Sequence, residues 1–99
     1  MTRSYEHELS LAIAAAREAG ARLLAELYRP GGPRGGGDHA DADSDAELQI
    51  RNRLTAATPF SFRGEELGYY AGADTSHVWV VDPNDGTAPF LQGARGPSV

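Results

Sequence analysis

Two carboxylates and a hydroxyl group follow directly after an apolar run of the sequence. The run 77–81 is β-branched and aromatic, which predicts a strand covered on both faces, and Asp82, Asp85 and Thr87 come after it. Carboxylate oxygens are preferred ligands of hard cations such as Mg²⁺. The free N–H groups at the start of a helix favour phosphate. If Gly86 and Thr87 begin a helix, this segment can hold both halves of a metal–phosphate complex.

A second acidic segment favours this interpretation over an ordinary surface turn, which the same residue types also form. The alternating segment 60–62 predicts another strand, and Gly64-Glu65-Glu66 follows it. Ligands of open α/β sheets bind where strand ends meet loops. We therefore expect Glu65, Asp82 and Asp85 to converge on one metal-binding locus.

Two helices are predicted ahead of these strands. Apolar residues recur at three- and four-residue spacing from about Ser4 to Arg29, which indicates one buried stripe: Tyr5, Leu9, Ala12, Ile13, Ala16, Leu23, Leu24 and Leu27. The segment of about 30–42 that follows is rich in glycine and is expected to be a flexible loop. It lacks the Gly-Lys-Ser/Thr sequence of a nucleotide P-loop, which argues against a phosphate site of that type.

The start of the second helix is predicted from its acidic residues. Asp41, Asp43 and Asp45 alternate as in a calcium-binding EF-hand, but Ala46 stands where that loop needs glycine. Ser44 and Glu47 have the spacing of a capping box instead. The expected buried stripe is Ala46, Ile50, Leu54 and Ala57. The segment 68–74 is predicted to be a loop between the two strands.

Composition excludes several functional classes. The 99 residues include 14 acidic and 9 basic side chains, and the net charge of −5 argues against nucleic acid or an anionic membrane as a partner. There are no cysteines for disulfides or thiolate ligation. The apolar run 11–16 is far shorter than the roughly 20 residues that a membrane span needs. We expect a cytoplasmic protein.

The two acidic motifs also carry a family resemblance. Gly64-Glu65-Glu66, the segment 79–87 and Phe90 resemble the paired signature of the inositol monophosphatase family, which are lithium-sensitive, Mg-dependent sugar phosphatases. Asp43 and Glu47 are spaced like the acidic helix start of that family. The resemblance implies an α/β (α+β layered) fold, with two helices followed by the first strands of a largely antiparallel sheet. Residues 1–99 would be the N-terminal portion of a single domain.

The resemblance implies a set of metal ligands. Glu65, Asp82 and the backbone carbonyl of Asn84 would hold a first Mg²⁺, and Asp82 and Asp85 would hold a second. Two ions about 3.5–4 Å apart stabilise both the attacking and the leaving oxygen of an in-line displacement.

The resemblance also implies the remaining catalytic groups. Thr87, oriented by Asp43, would position or deprotonate the attacking water. The N–H groups of Gly86 and Thr87 would bind phosphate oxygens.

The sequence departs from the family at several points. Asn84 stands where an aliphatic residue is usual, which is expected to be tolerated because that position contributes only a carbonyl. The Trp-Asp motif that gives the second metal a further ligand has no counterpart before Val99. The 30–42 loop is either an active-site flap, with Arg34 and His39 as candidate residues, or a surface linker.

The expected function is Mg-dependent hydrolysis of a small sugar, polyol or nucleotide phosphate by two-metal attack of water. The expected partner is a small phosphorylated metabolite. Because Ser98-Val99 resembles the opening of a further strand, the chain is expected to be the front portion of a larger enzyme and to need the rest of it or another copy of itself, as in a homodimer. The alternative is a truncated, non-catalytic binding or dimerisation module.

Overall fold

The first helix supplies one side of the core. The computed structural model describes residues 4–36, 39–84 and 99, and in it α1 spans Glu6–Leu27, slightly shorter than the predicted 4–29. Its buried positions are Ala15, Ala19, Leu23, Glu26 and Leu27. The predicted stripe is only partly buried, because Tyr5, Leu9, Ile13 and Leu24 stay exposed. The small side chains of Ala15 and Ala19 let the second helix pack closely against α1.

The second helix, α2, spans Asp41–Ala57, so the capping-box interpretation is wrong. The helix begins one turn earlier than predicted, which places Ser44 inside it. Asp41 and Asp43 lie in its first turn, where acidic groups interact favourably with the helix dipole. Ala46, Ile50 and Leu54 are buried as predicted, whereas Ala57 is exposed.

A short hairpin connects the helices. Strand β1, Gly35–Gly36, pairs with β2, His39–Ala40, in antiparallel register. The backbone N–H of Asp41 then donates to the carbonyl of Arg34 at 3.0 Å, which ties the start of α2 to this hairpin. The flexibility expected for 30–42 stays a prediction.

Three strands complete the fold. They are β3 (Phe60–Gly64), β4 (Gly68–Tyr70) and β5 (Asp74–Val81), in the order β4-β3-β5. Strand β4 pairs antiparallel with β3, whereas β5 pairs parallel with it. Two helices followed by a three-stranded mixed sheet confirm the expected fold class.

The loop predicted over 68–74 is wrong in its first half, because β4 lies there. Phe62 pairs with Tyr70 and Gly64 pairs with Gly68. Gly68 has a φ of +77°, a backbone conformation that glycine adopts without the steric cost of a side chain. The chain can therefore reverse within residues 65–67.

The helices cover one face of the sheet. Phe62 is fully buried against α1 and α2, and Trp79 and Val81 pack beside it. On the opposite face Val78 is 43% exposed and Val80 is 77% exposed. The prediction that β5 is covered on both faces is therefore wrong for the described part of the chain, where the helices pack on the other side.

The helices that the structure describes include none that is long and apolar enough to cross a membrane.

Candidate functional site

Parallel pairing brings Glu65 and Asp82 to the same edge of the sheet. Gly64 at the end of β3 is in register with Val81 at the end of β5. One residue further on, the backbone N–H of Glu65 donates to the carbonyl of Val81 at 3.2 Å. Each acid therefore leaves its strand at the same level, and the two carboxyl groups lie close enough to interact.

This contact changes the acidity of Glu65. The hydrogen bond to Asp82 and the negative charge of Asp82 are the main causes that raise the pKa of Glu65 to about 7. Some loss of hydration and the negative charges of Glu66 and Asp43 raise the pKa of Glu65 further. Two carboxylates in contact repel each other unless a proton or a cation lies between them. The pair is thus suited to a divalent cation.

Asp43, in the first turn of α2, adds negative charge near Glu65. Its side chain is fully buried, and the Asn84 amide donates to Asp43 Oδ1 at 3.0 Å. The backbone N–H of Asn84 also donates to Asp82 Oδ1 at 3.1 Å, which shapes the turn after β5. Sequence reasoning assigned Asn84 only a carbonyl and missed its buried side chain. The sequence feature that could have indicated this contact is the amide itself, since the resemblance implies an aliphatic residue at this position.

Glu47 is a second functional candidate that sequence reasoning misread. Its side chain is fully buried, and its two carboxyl oxygens accept hydrogen bonds from the backbone N–H groups of Glu66 and Leu67. Gly64 lies against the same carboxyl group, so a Cβ at that position would overlap it. A capping box would instead place this carboxylate at the start of its own helix.

Three of the predicted site residues come directly after the last residue of this segment that the structure describes. Asp85, Gly86 and Thr87 lie outside the described residues, so their roles stay predictions. Within residues 4–36 and 39–84, no group of three or more His, Asp or Glu side chains is placed to hold a metal ion. The predicted ligand set therefore depends on Asp85. The carboxylate oxygens of Glu65 and Asp82 are hard ligands of the kind that Mg²⁺ prefers.

Arg34, a candidate from the glycine-rich segment, is engaged with α1. Its Nε and Nη2 atoms donate to the Glu26 carboxylate at 2.8 and 2.9 Å, and its backbone N–H donates at 3.0 Å. These hydrogen bonds, with the charge of Arg34, lower the pKa of Glu26 to about 2. His39, the other candidate, lies in β2.

Known proteins resemble this chain in sequence and in fold. No family model matches the sequence. Inositol-1-monophosphatase of Caulobacter vibrioides is 46% identical over 52 residues, which cover 52% of this chain and 20% of that protein. Nus factor SuhB of Escherichia coli is 33% identical over 91 residues, which cover 85% of this chain and 34% of that protein.

The fold comparison agrees with the sequence comparison. The crystal structure of extragenic suppressor protein SuhB from Bartonella henselae superposes with a TM-score of 0.83 at 32% identity. The match covers 93% of this chain and 38% of that one, so the chain spans well under half the length of its relatives. The sequence similarity and the fold similarity therefore point to the same group of proteins. By sequence and by fold, the chain is similar to the N-terminal part of inositol-1-monophosphatases and SuhB proteins, as the resemblance of its acidic motifs implies.

Proposed function

We propose that this chain forms part of an Mg²⁺-dependent phosphomonoesterase. The observation that supports the proposal is the contact between the carboxyl groups of Glu65 and Asp82 at the ends of two parallel strands. Two carboxylates held this close repel each other, and a bound divalent cation would neutralise that repulsion. The family relatives named inositol-1-monophosphatase support the same reaction class.

The metal ligands in this proposal are Glu65, Asp82, Asp85 and the backbone carbonyl of Asn84. When bound, two Mg²⁺ ions would stabilise negative charge on the attacking and leaving oxygens of the phosphate ester. The Asn84 backbone N–H, hydrogen-bonded to Asp82 Oδ1, supports this role because it limits how far that carboxylate can rotate.

The catalytic groups in this proposal are Thr87 and Asp43. Asp43 is buried and held by the Asn84 amide, which suits a carboxylate that orients another side chain. Its oxygen would accept the hydroxyl proton of Thr87, leaving the Thr87 oxygen to accept a proton from the attacking water. The N–H groups of Gly86 and Thr87 would hold the phosphate oxygens.

The proposed substrate class is a small sugar, polyol or nucleotide phosphate, with an inositol phosphate as the first candidate because of the relatives' names. We further propose a cytoplasmic location and a homodimer. The net charge of −5 is the basis for excluding nucleic acid and anionic membranes as partners.

The substitution Asp82→Asn tests the metal site. It removes charge from the residue proposed to touch both ions, so phosphate release should fall to background while the melting temperature changes little. The assay measures release from inositol monophosphate and histidinol phosphate against Mg²⁺ concentration, in a protein extended to the length of its relatives.

Asp45→Asn is the matched control, because Asp45 is an exposed acid on α2. It should retain parental turnover. Activity of Asp82→Asn within a few-fold of the parent would contradict the proposed shared-ligand role.

The second candidate function is a non-catalytic binding or dimerisation module. The exposed apolar face of β5 favours it, with Val80 77% exposed, and so does the similarity to proteins named Nus factor SuhB. Calorimetry with Mn²⁺ separates the two functions. A chain that binds no cation, and an extended protein that releases no phosphate, would favour the module.

A further inference from the structure

Glu65 lies in the turn between β3 and β4. The buried carboxylate of Glu47 accepts hydrogen bonds from the backbone of that turn. Both side-chain oxygens of Glu47 are engaged, since Oε1 accepts from the N–H of Glu66 at 2.9 Å and Oε2 accepts from the N–H of Leu67. Both donors lie immediately after Glu65. The contact links α2 to a segment about twenty residues later in the chain, so it is a tertiary contact and not a local cap.

The residue before Glu65 is fitted to the same carboxylate. Gly64 is buried, and a side chain there would occupy the space of the Glu47 carboxyl group. Gly64 is not one of the glycines with a positive φ in the described residues. Glycine is therefore needed here because a side chain would overlap the Glu47 carboxyl group. Glu47 thus contacts the backbone on both sides of Glu65 without contacting its side chain in any hydrogen bond that the structure describes.

We propose that Glu47 is a positioning residue, which fixes the 65–67 turn so that the carboxyl group of Glu65 meets that of Asp82. The inference rests on the proposed role of Glu65 as a metal ligand. A carboxylate that is removed from water needs hydrogen bonds, and two converging backbone N–H groups supply them. The rigid helix α2 then transmits its position to the turn.

Two substitutions separate positioning from charge. Glu47→Asp keeps the charge but is one methylene shorter, so it cannot reach both N–H groups. Glu47→Gln keeps the length but presents an NH₂ group to one of two donors. Loss of a positioning contact of this kind weakens metal binding about 10–100-fold. We expect both variants to bind Mn²⁺ at least about 10-fold more weakly than the parent chain.

The experiment measures Mn²⁺ affinity of the complete 99-residue chain by calorimetry, with melting temperatures recorded in parallel. Glu18→Gln is the control, because Glu18 pairs with Arg53 at the surface and should leave affinity unchanged. If Glu47→Asp retains parental affinity while Glu47→Gln loses it, charge and not position is responsible and the proposal is overturned. Parental affinity in both variants overturns it equally.

A measurement on the unmodified chain keeps the proposal testable if the variants fail to fold. The amide protons of Glu66 and Leu67 should exchange slowly with solvent, whereas the amide of Arg63, which lies within β3, reports only on strand pairing. Fast exchange at both amides would overturn the proposal. If the parent chain binds no Mn²⁺ while these amides are protected, the proposed function of Glu65 fails and the Glu47 contact stands as a structural one only.

Discussion

One amide side chain joins two of the acidic segments. Asn84 donates from its backbone N–H to Asp82 and from its side chain to the buried Asp43. Replacing a hydrogen bond to a buried acid by nothing costs about 1–3 kcal/mol in the free energy of unfolding. The side chain of Asn84 therefore has a structural role of its own, which is separate from the carbonyl role predicted for this position.

The proton on Glu65 should compete with a divalent cation. Its pKa is raised to about 7, mainly by the hydrogen bond to Asp82, so the pair holds a proton below that pH and loses it above. Cation binding releases this proton, and affinity for Mn²⁺ should therefore rise from pH 6 to pH 8, by about tenfold per pH unit on the acid side. Calorimetry at several pH values measures this.

The substitution Glu65→Gln serves as its control, since a side chain that does not titrate should flatten the profile and weaken binding. An affinity of the parent chain that is constant between pH 6 and pH 8 would show that the Glu65–Asp82 pair does not hold the cation.

At the scale of elements, Gly64 at the end of β3 and Gly20 within α1 make a matched pair. A Cβ at Gly64 would overlap the Glu47 carboxyl group, whereas a Cβ at Gly20 meets nothing within 4 Å. Gly64→Ala should therefore lower the free energy of unfolding by about 1–3 kcal/mol, as overpacking does. Gly20→Ala should raise it by about 0.5–1 kcal/mol, because alanine favours the helix.

Urea denaturation of both variants measures these changes. Equal effects of the two substitutions would mean that the space beside Glu47 does not constrain β3.

A second element-scale contact ties the hairpin before α2 to α1. Glu26 accepts three hydrogen bonds from Arg34, whose carbonyl in turn accepts from the N–H of Asp41. The pKa of Glu26 is lowered from 4.5 to about 2, so the unfolded chain takes up its proton at a higher pH than the folded chain. The stability from this contact is fully present above about pH 4.5 and is lost as the pH falls toward 2.

Thermal melts from pH 7 to pH 2.5 test this expectation. Glu26→Gln should lose part of the acid-dependent fall in melting temperature, while Glu18→Gln, which removes an exposed ion pair, should keep it. A parental pH profile in Glu26→Gln would exclude the contact as a source of stability.

At the scale of the whole molecule, the sheet presents an apolar face that the helices do not cover. Val80 is 77% exposed on β5, an outer strand of the described sheet. We expect the 99-residue chain to self-associate through this face, because exposed apolar strands favour pairing with another copy. Val80→Lys should shift the chain toward monomer in sedimentation velocity with little change in melting temperature.

Thr75→Lys is the control on the same strand, since Thr75 is an exposed polar residue. It should leave the association as it is in the parent. A parent chain that is monomeric at all concentrations would rule out this face as an interface.

Sequence reasoning predicted the helices and strands better than the contacts between them. The helices, the strands that precede Glu65 and Asp82, and the meeting of these two acids were expected from periodicity and from residue types. The start of α2, the strand Gly68–Tyr70 and the exposed face of β5 were not. A capping-box spacing is a local signal, and in α2 the tertiary contact of Glu47 with a distant turn overrides it.

By itself the sequence determined the element types and the acidic residues at the strand ends, because hydrophobic spacing and turn residues act over short distances. Only the tertiary structure decided that β3 and β5 are parallel neighbours with Gly64 opposite Val81. It also decided that Glu47 holds the turn of Glu65 and that Asn84 reaches Asp43. These contacts join segments about 20 and 41 residues apart. Packing of the helices on the sheet, and no local preference, brings such segments together.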